Sequence, residues 1–324
     1  MGKRAPAAAT AAQIKEHQVV LPPQPGGTRL DLALSLALPQ YSRSRLAAWI
    51  KAEAVQVDGK AARPRDAVFG GETVTVHAQL AVDDRVEAER MPINVVFRDR
   101  HLLVIDKPAG LVVHPGAGNR SHTLQNGLLA LDPKLATVPR AGIVHRIDKD
   151  TSGLLVVART LEAHTALVEA LREHRVQREY VALCLGAVTG GGTIDAAIGR
   201  HRTDRLRMAV RADGKPAVTH YRSLERFAHH SLLQVQLETG RTHQIRVHLA
   251  HVGHPLVGDP SYGGRRQLTA GASPAKRAAL QAFGRQALHA GRLAFEHPIT
   301  GKTIDISSKL PADFSKLLTV LRKA

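Results

Sequence analysis

The sequence predicts an α+β protein made of a small N-terminal unit and a larger C-terminal one. Residues Gly26 to His77 hold two helical patterns followed by a hairpin signal. From Asn94 onward, short apolar runs of strand length are interspersed with helical stretches. A length of 324 residues is ample for two such units, each with its own core.

Residues 1–20 form an Ala-rich leader, Ala5 to Ala12 at its centre, expected to be disordered. The small unit is placed at residues 26–78. Thr28-Arg29-Leu30-Asp31 opens it and leads into a helix carrying Leu30, Leu34 and Leu36. Ser42 is the expected N-cap of a second helix, Arg43 to Ala54. Leu46, Trp49 and Ile50 give that helix an apolar stripe, with Arg43, Arg45 and Lys51 facing elsewhere. Val55-Gln56-Val57, a turn at Asp58-Gly59, and Glu72 to Val76 complete a hairpin. Residues 79–92, with Asp83, Asp84, Glu87 and Glu89, read as a linker.

The large unit is placed at 93–324. Asn94 to Phe97, Leu102 to Asp106 and Leu111 to His114 read as strands, the last two joined by a turn at Lys107-Pro108-Ala109-Gly110. Thr123 to Leu131 and Leu161 to Arg172 read as helices. Around His145 the pattern reads strand, tight loop, strand, the second strand being Leu154 to Ala158. Leu232 to Leu237 alternates as a strand with one buried face does, and Gly240 is expected to permit a sharp exit from it. Arg265 to Lys276 is expected to be a long loop.

The net charge is +17, which predicts a polyanionic partner. Residues 1–90 carry 12 Lys+Arg against 10 Asp+Glu, and residues 91–324 carry 33 against 18. The polyanion is therefore expected to lie mainly over the large unit. Only 3% of residues are aromatic, too few for a base-stacking platform. No apolar run reaches membrane-spanning length, and the N-terminus has neither a secretory core nor the Ser/Thr of a myristoylation signal. The single cysteine, Cys184, fits a reducing compartment. Cytoplasmic nucleic acid is the expected partner, with no membrane association.

Three segments can carry chemistry. They are His145-Arg146-Ile147-Asp148 followed by Thr151-Ser152-Gly153, then Arg178-Glu179-Tyr180, then Gly240 to His248. Singly, each has a plain structural reading: Asp148 as a loop cap, Tyr180 as a strand aromatic, Arg241 and Arg246 as phosphate clamps. Jointly and in this order they do not. The three segments resemble the motifs of the pseudouridine synthase family, with Ile147 where leucine is commoner. Lys107-Pro108 to His114-Pro115-Gly116 and His254 to Asp259 are further family landmarks. Residues 26–78 resemble the small RNA-binding module first recognised in ribosomal protein S-four, through Arg29-Leu30-Asp31, Ser42 to Arg45, Val55 to Lys60 and Gly70 to Val74.

The family resemblance implies a mixed, largely antiparallel sheet flanked by helices, with a cleft across its middle. It implies uridine isomerisation in ribosomal RNA, which needs neither cofactor nor metal because no net redox change or hydrolysis occurs. The target base must first be extruded. Asp148 is then the nucleophile, or the base that starts elimination toward a glycal. Arg246 pairs with Asp148 and keeps it ionised. Tyr180 packs on the uracil and helps remove the C5 proton. Arg146 fills the gap the base leaves. Further RNA contacts are expected from His145, Arg241 and His243, and from Arg29, Arg43, Arg45 and Lys51 of the small unit. A monomer is expected.

Other readings are weaker. His243, His248, His251 and His254 lack a clustered Cys or carboxylate partner for a metal. His145, Ser152 and Asp148 are too close in sequence for a hydrolytic triad. Gly116-Ala117-Gly118 lacks the Gly-Lys-Ser/Thr of a phosphate loop. A non-catalytic RNA-binding or assembly factor has no use for an acid beside the phosphate backbone. A transfer-RNA enzyme of the same family remains the other alternative.

Overall fold

The computed structural model describes residues 13–24, 26–41, 43–80, 86–116, 119–204, 206–263 and 273–323. Ser42, expected as a helix cap, lies outside the described residues, as do residues 264–272 of the expected long loop.

The N-terminal unit runs β1 (Gln13–Val20), β2 (Thr28–Arg29), α1 (Leu30–Ala37), α2 (Arg43–Lys51), β3 (Val55–Val57), β4 (Lys60–Ala61), β5 (Ala67–Val68) and β6 (Thr73–Leu80). β6 is central, with antiparallel β1 on one edge and β3 on the other. The expected leader is therefore corrected: its last eight residues are a strand pairing with β6 from Gln13↔Leu80 to Val20↔Thr73. Without β1, an edge of β6 would be bare, and an unpaired edge leaves backbone donors and acceptors open. Helices α1 and α2 cover the sheet, burying Leu30, Ala33, Leu34, Leu46, Trp49 and Ile50 with Val55, Val74 and Val76. Helix α2 stops three residues short of expectation, because Glu53 turns left-handed (φ 58) and Ala54 N–H closes back on Trp49 O.

The C-terminal unit runs β7 (Val95–Arg98), β8 (Leu102–Lys107), α3 (Leu124–Leu131), β9 (Ser152–Ala158), α4 (Leu161–Arg172), β10 (Gln177–Leu185), β11 (Gly191–Asp195), β12 (Ile198–Arg200), β13 (Met208–Val210), β14 (Val218–Arg226), β15 (His230–Leu237), α5 (Gln244–His251), α6 (Pro274–Ala282), β16 (Leu288–Glu296), β17 (Thr303–Ser307) and α7 (Ala312–Arg322). Its main sheet has the order β11-β14-β15-β10-β16-β9-β8-β7, with β17 also on β16. Every pairing is antiparallel except β9 with β16, at His289↔Ser152 and Ala290↔Gly153. The mixed, largely antiparallel α+β fold is the one the sequence resemblance implies.

Both faces of the middle strands are buried, which is why Leu154 to Ala158 is continuously apolar rather than alternating. Leu155 and Val157 join the core beneath the cleft, whereas Leu154, Val156 and Ala158 meet Ala163, Leu167 and Ala170 of α4. Those three α4 residues recur at the helical spacing, and Thr160 caps the helix by accepting from Ala163 N–H. Helices α6 and α7 pack beyond β10, where Leu280, Phe314, Leu317 and Leu321 meet Leu183 and Leu232.

Four local expectations change. Leu111 to His114 is not a strand: the Val112 and Val113 carbonyls accept from Leu124 and Gln125 N–H at the start of α3. Residues 143–147 are irregular, because β8 takes one edge of β9 along its length and β16 takes part of the other, leaving one bridge, Ile143↔Val157. The latter part of the expected linker is fastened down. Asn126 Nδ2 donates to Glu87 O at 2.7 Å, and the Glu89 carboxylate accepts from His122 N–H at 3.0 Å. Finally, Pro274–Lys276 of the expected loop is the first turn of α6, capped by Ser273.

Candidate active site

The loop between Gly142 and β9 is positioned from below. Thr151 N–H donates to Asp148 O at 3.1 Å, closing the turn that the Asp-Lys-Asp-Thr sequence favours. Gly153 then enters β9 with φ 114, and a Cβ there would meet Ala290 O at 2.2 Å. Only glycine lets the loop descend this close to β16. Lys107, fully buried, donates to Pro108 O, Leu111 O and Lys149 O at 2.8–2.9 Å. Burial pushes its amine down to about 7, against the pull of Asp150 and Asp148. Gln286 Nε2 donates to Thr151 Oγ1, and Arg285 Nη1 to Asp150 O, both at 3.1 Å. The loop is thus tied at the three residues that follow Asp148, and the carboxylate itself lines the pocket.

Three of the expected residues converge there. Arg246, on α5, donates from Nη1 to Asp148 Oδ2 at 3.0 Å. Its other two contacts form a fork onto Asp259, at 2.7 and 2.9 Å. Asp259 Oδ1 also accepts from Ser261 and Tyr262 N–H. Burial opposes the charge of Arg246, but the two carboxylates outweigh it and hold its pKa above the ordinary value. Tyr180, 6% exposed on β10, lines the same pocket of about 50 Å³ as Asp148 and Arg246. Burial raises its phenol, and the Asp148 charge adds to the shift.

Sequence reasoning missed Asp259 and Arg178 as site residues, although both stand within the motifs named above. Arg178 lies two residues before Tyr180, so it shares that face of β10. It is 7% exposed, donates from Nη2 to Glu238 O at 3.0 Å, and has a buried Nε without a partner. Burial lowers its pKa. Gly240 is corrected in its reason: its φ is not left-handed, but a Cβ there would stand 2.9 Å from Arg178 Nη1. The left-handed residue of the segment is His243, at φ 57 and ψ 21.

The pocket opens from the floor of a cleft of about 1350 Å³, the two sharing Arg146, Arg178, Gly240 and Arg241. Arg120, Arg140 and Arg172 add charge to its walls, and among the described residues Glu238 is the acid that faces them. Arg146 and Arg241 are exposed, as RNA contacts need to be. His145 differs from expectation. Its Nε2 accepts from Val156 N–H at 3.1 Å, its Nδ1 is buried, and burial pushes the ring down to about 3. With Nε2 bonded to the backbone and Nδ1 buried, it anchors the loop. In the N-terminal unit, Arg29 and Arg43 both fork onto Asp31 but stay about half exposed, at 45% each. Arg45 is half-buried near Tyr41, and Lys51 is exposed at the end of α2.

A carboxylate with one oxygen held by a buried arginine and the other facing an aromatic pocket suits attack on, or proton removal from, a nucleoside. The comparisons agree. The family model described as RNA pseudouridylate synthase matches residues 101–251. The ribosomal large subunit pseudouridine synthase D of Xanthomonas campestris pv. campestris is 55% identical, over 95% of this chain and 93% of its own. The protein of the same name from Escherichia coli strain K12 is 49% identical, over 96% and 94%. Among solved structures, human RNA pseudouridylate synthase domain containing 4 aligns with a TM-score of 0.55 at 27% identity, covering 71% of this chain and 93% of its own. Human RNA pseudouridylate synthase domain containing 1 aligns with a TM-score of 0.53, also at 27% identity, covering 72% and 96%. The chain belongs to the RNA pseudouridylate synthase family and is an isomerase acting on RNA.

Proposed function

We propose that this enzyme converts uridines of large-subunit ribosomal RNA to pseudouridine, with Asp148 as the reacting carboxylate. The observation that carries it is the joint placement of Asp148, Arg246 and Tyr180 in one pocket at the floor of an arginine-lined cleft. The names of the relatives support the ribosomal substrate. In the reaction the C1′–N1 bond breaks, the uracil turns and a C1′–C5 bond forms; C5 loses its proton and N1 gains one, so that product and substrate are isomers. Asp148 starts it, as nucleophile at C1′ or as the base that opens an elimination. Arg246 holds the carboxylate in line, and Tyr180 lies against the extruded base. Arg146 stacks into the space the base vacates, since a guanidinium both stacks and donates. Arg241 grips the flanking backbone. The N-terminal unit binds RNA through Arg29, Arg43, Arg45 and Lys51. The protein works as a monomer in the cytoplasm; among the described residues no helix is long and apolar enough to cross a membrane.

The test is a pseudouridine map of total RNA from cells with and without the gene, and with Asp148→Asn in its place. Sites in large-subunit RNA that vanish in both deficient strains support the proposal. Sites that survive Asp148→Asn overturn the role of Asp148, and sites confined to transfer RNA overturn the substrate.

A further inference from the structure

Arg246 holds only one oxygen of Asp148. The other, Oδ1, faces His243 Nε2 at 4.0 Å. Behind His243 stands Tyr262, whose Oη lies 2.8 Å from His243 Nδ1 and also accepts from Met208 N–H at 2.8 Å. A backbone N–H can only donate, so the Tyr262 oxygen is the acceptor on that side. Among the described residues, the acceptor within reach of its own proton is His243 Nδ1. With Nδ1 accepting, a neutral imidazole carries its proton on Nε2, the nitrogen 4.0 Å from Asp148 Oδ1.

Neither ring is free to turn away. The Tyr262 ring has the Arg246 guanidinium 5.0 Å from its centre and that of Arg207 5.2 Å away, and its backbone N–H is held by Asp259. The His243 ring meets Tyr262 edge-on at 5.7 Å. His243 adopts a left-handed backbone, a conformation that costs energy for a residue with a Cβ and that collects at functional sites. The groups facing its ring are Asp148, Arg246, Asp259, Arg146 and the Tyr262 hydroxyl. Burial among them lowers its pKa, which favours the neutral ring.

We propose that Tyr262 fixes the tautomer of His243 so that His243 Nε2–H serves as the second donor to Asp148, making both of them positioning residues. This rests on Asp148 being the reacting carboxylate. At 4.0 Å the contact is too long for a hydrogen bond, and a movement of about 1 Å on substrate entry closes it. Asp148 is then held at both oxygens, one by a permanent cation and one by a neutral donor. The sequence assignment of His243 to RNA contact is replaced by a contact with the carboxylate.

Tyr262→Phe keeps the ring against the arginines and removes only the hydroxyl. The expected result is a fall of about tenfold in kcat with the RNA KM changed by no more than about twofold. His243→Gln, which places an amide N–H near the Nε2 position, is expected to retain several-fold more rate than His243→Ala. Nitrogen-15 spectra of histidine-labelled enzyme supply a readout that mere structural support would not move. The His243 signals, assigned by their loss in His243→Gln, are expected to show the Nε2–H tautomer in the native enzyme and a mixture in Tyr262→Phe. A native Nδ1–H tautomer overturns the proposal. So does a Tyr262→Phe enzyme with native kcat, or one that loses only RNA affinity. If Tyr262→Phe fails to fold, equal losses in His243→Gln and His243→Ala overturn it. Asp148→Asn, assayed alongside, separates the two ideas: activity surviving there overturns the Asp148 reading itself.

Discussion

The two units each hold a three-membered cluster of Asp and Arg, with the proportions reversed. In the N-terminal unit one aspartate, Asp31, sits between two arginines, Arg29 and Arg43, each 45% exposed. In the cleft one arginine, Arg246, 6% exposed, sits between Asp259, fully buried, and Asp148, 16% exposed. The first cluster leaves net positive charge at the surface. The two guanidiniums carry the exposure, while Asp31 itself is 6% exposed and is held by both of them. The second buries its cation and leaves a net negative group where, on the proposed function, an anionic backbone approaches. Such a placement is unfavourable for binding alone, and it makes sense where a carboxylate has to react.

The comparison is broken most severely by Asp148→Asn. Activity is expected to fall by about 10⁴-fold or more while RNA affinity holds or rises slightly, measured by pseudouridine formation and by filter binding. Equal losses in both would make Asp148 a binding residue like Asp31. Asp259→Asn tests the buried anchor. Removing one partner of a fully buried pair is expected to cost about 3 kcal/mol of stability, read from denaturant unfolding. A displaced Arg246 is expected to lower kcat by about 100-fold.

Acid titration sharpens the same contrast. His145 is pushed by burial to about 3, so between its ordinary value of 6.5 and 3 the unfolded chain binds a proton that the folded one does not. Its contribution is complete above pH 6.5 and is lost as the pH falls through that window. His145→Gln is therefore expected to flatten the stability–pH slope between about pH 6 and 4, leaving that near pH 8 unchanged. The smallest effect on kcat belongs to the cluster of the N-terminal unit. Converting Arg29 and Arg43 to Gln is expected to leave kcat unchanged and, because Asp31 is 6% exposed and loses both cationic partners, to cost about 1–3 kcal/mol of stability, read from denaturant unfolding. The salt dependence of RNA binding should become shallower by about one unit for each phosphate no longer neutralised. A collapse of kcat there would mean that the two clusters are not separate in function.

Much of this was legible in the chain. Helix α4 was readable to the residue because an apolar stripe, a Thr cap and a strong period coincide in Leu161–Arg172. Asp148, Tyr180 and Arg246, which the structure gathers in one pocket, stood out because their motifs are short and dense. Leu111 to His114 was misread, since an apolar tetrapeptide looks the same whether its carbonyls pair with a strand or cap a helix. The strand in the supposed leader was hidden because Gln13–Val20 is stabilised by β6, a partner distant in the chain.

By itself the sequence determined where α1 to α4 and the strands β7, β8, β9 and β15 lie, which family the chain resembles, and which acid, phenol and arginine to look for. Those features follow from local periodicity, turn chemistry and motif spacing. Only the tertiary structure decided that Asp259 holds Arg246, that Gly240 lies against the Arg178 guanidinium, that His145 turns inward, and that Tyr262 stands behind His243. Each of these joins residues from separate turns and elements, and burial sets its strength. Neither the meeting nor the loss of solvent that gives it weight is written in the order of residues along the chain.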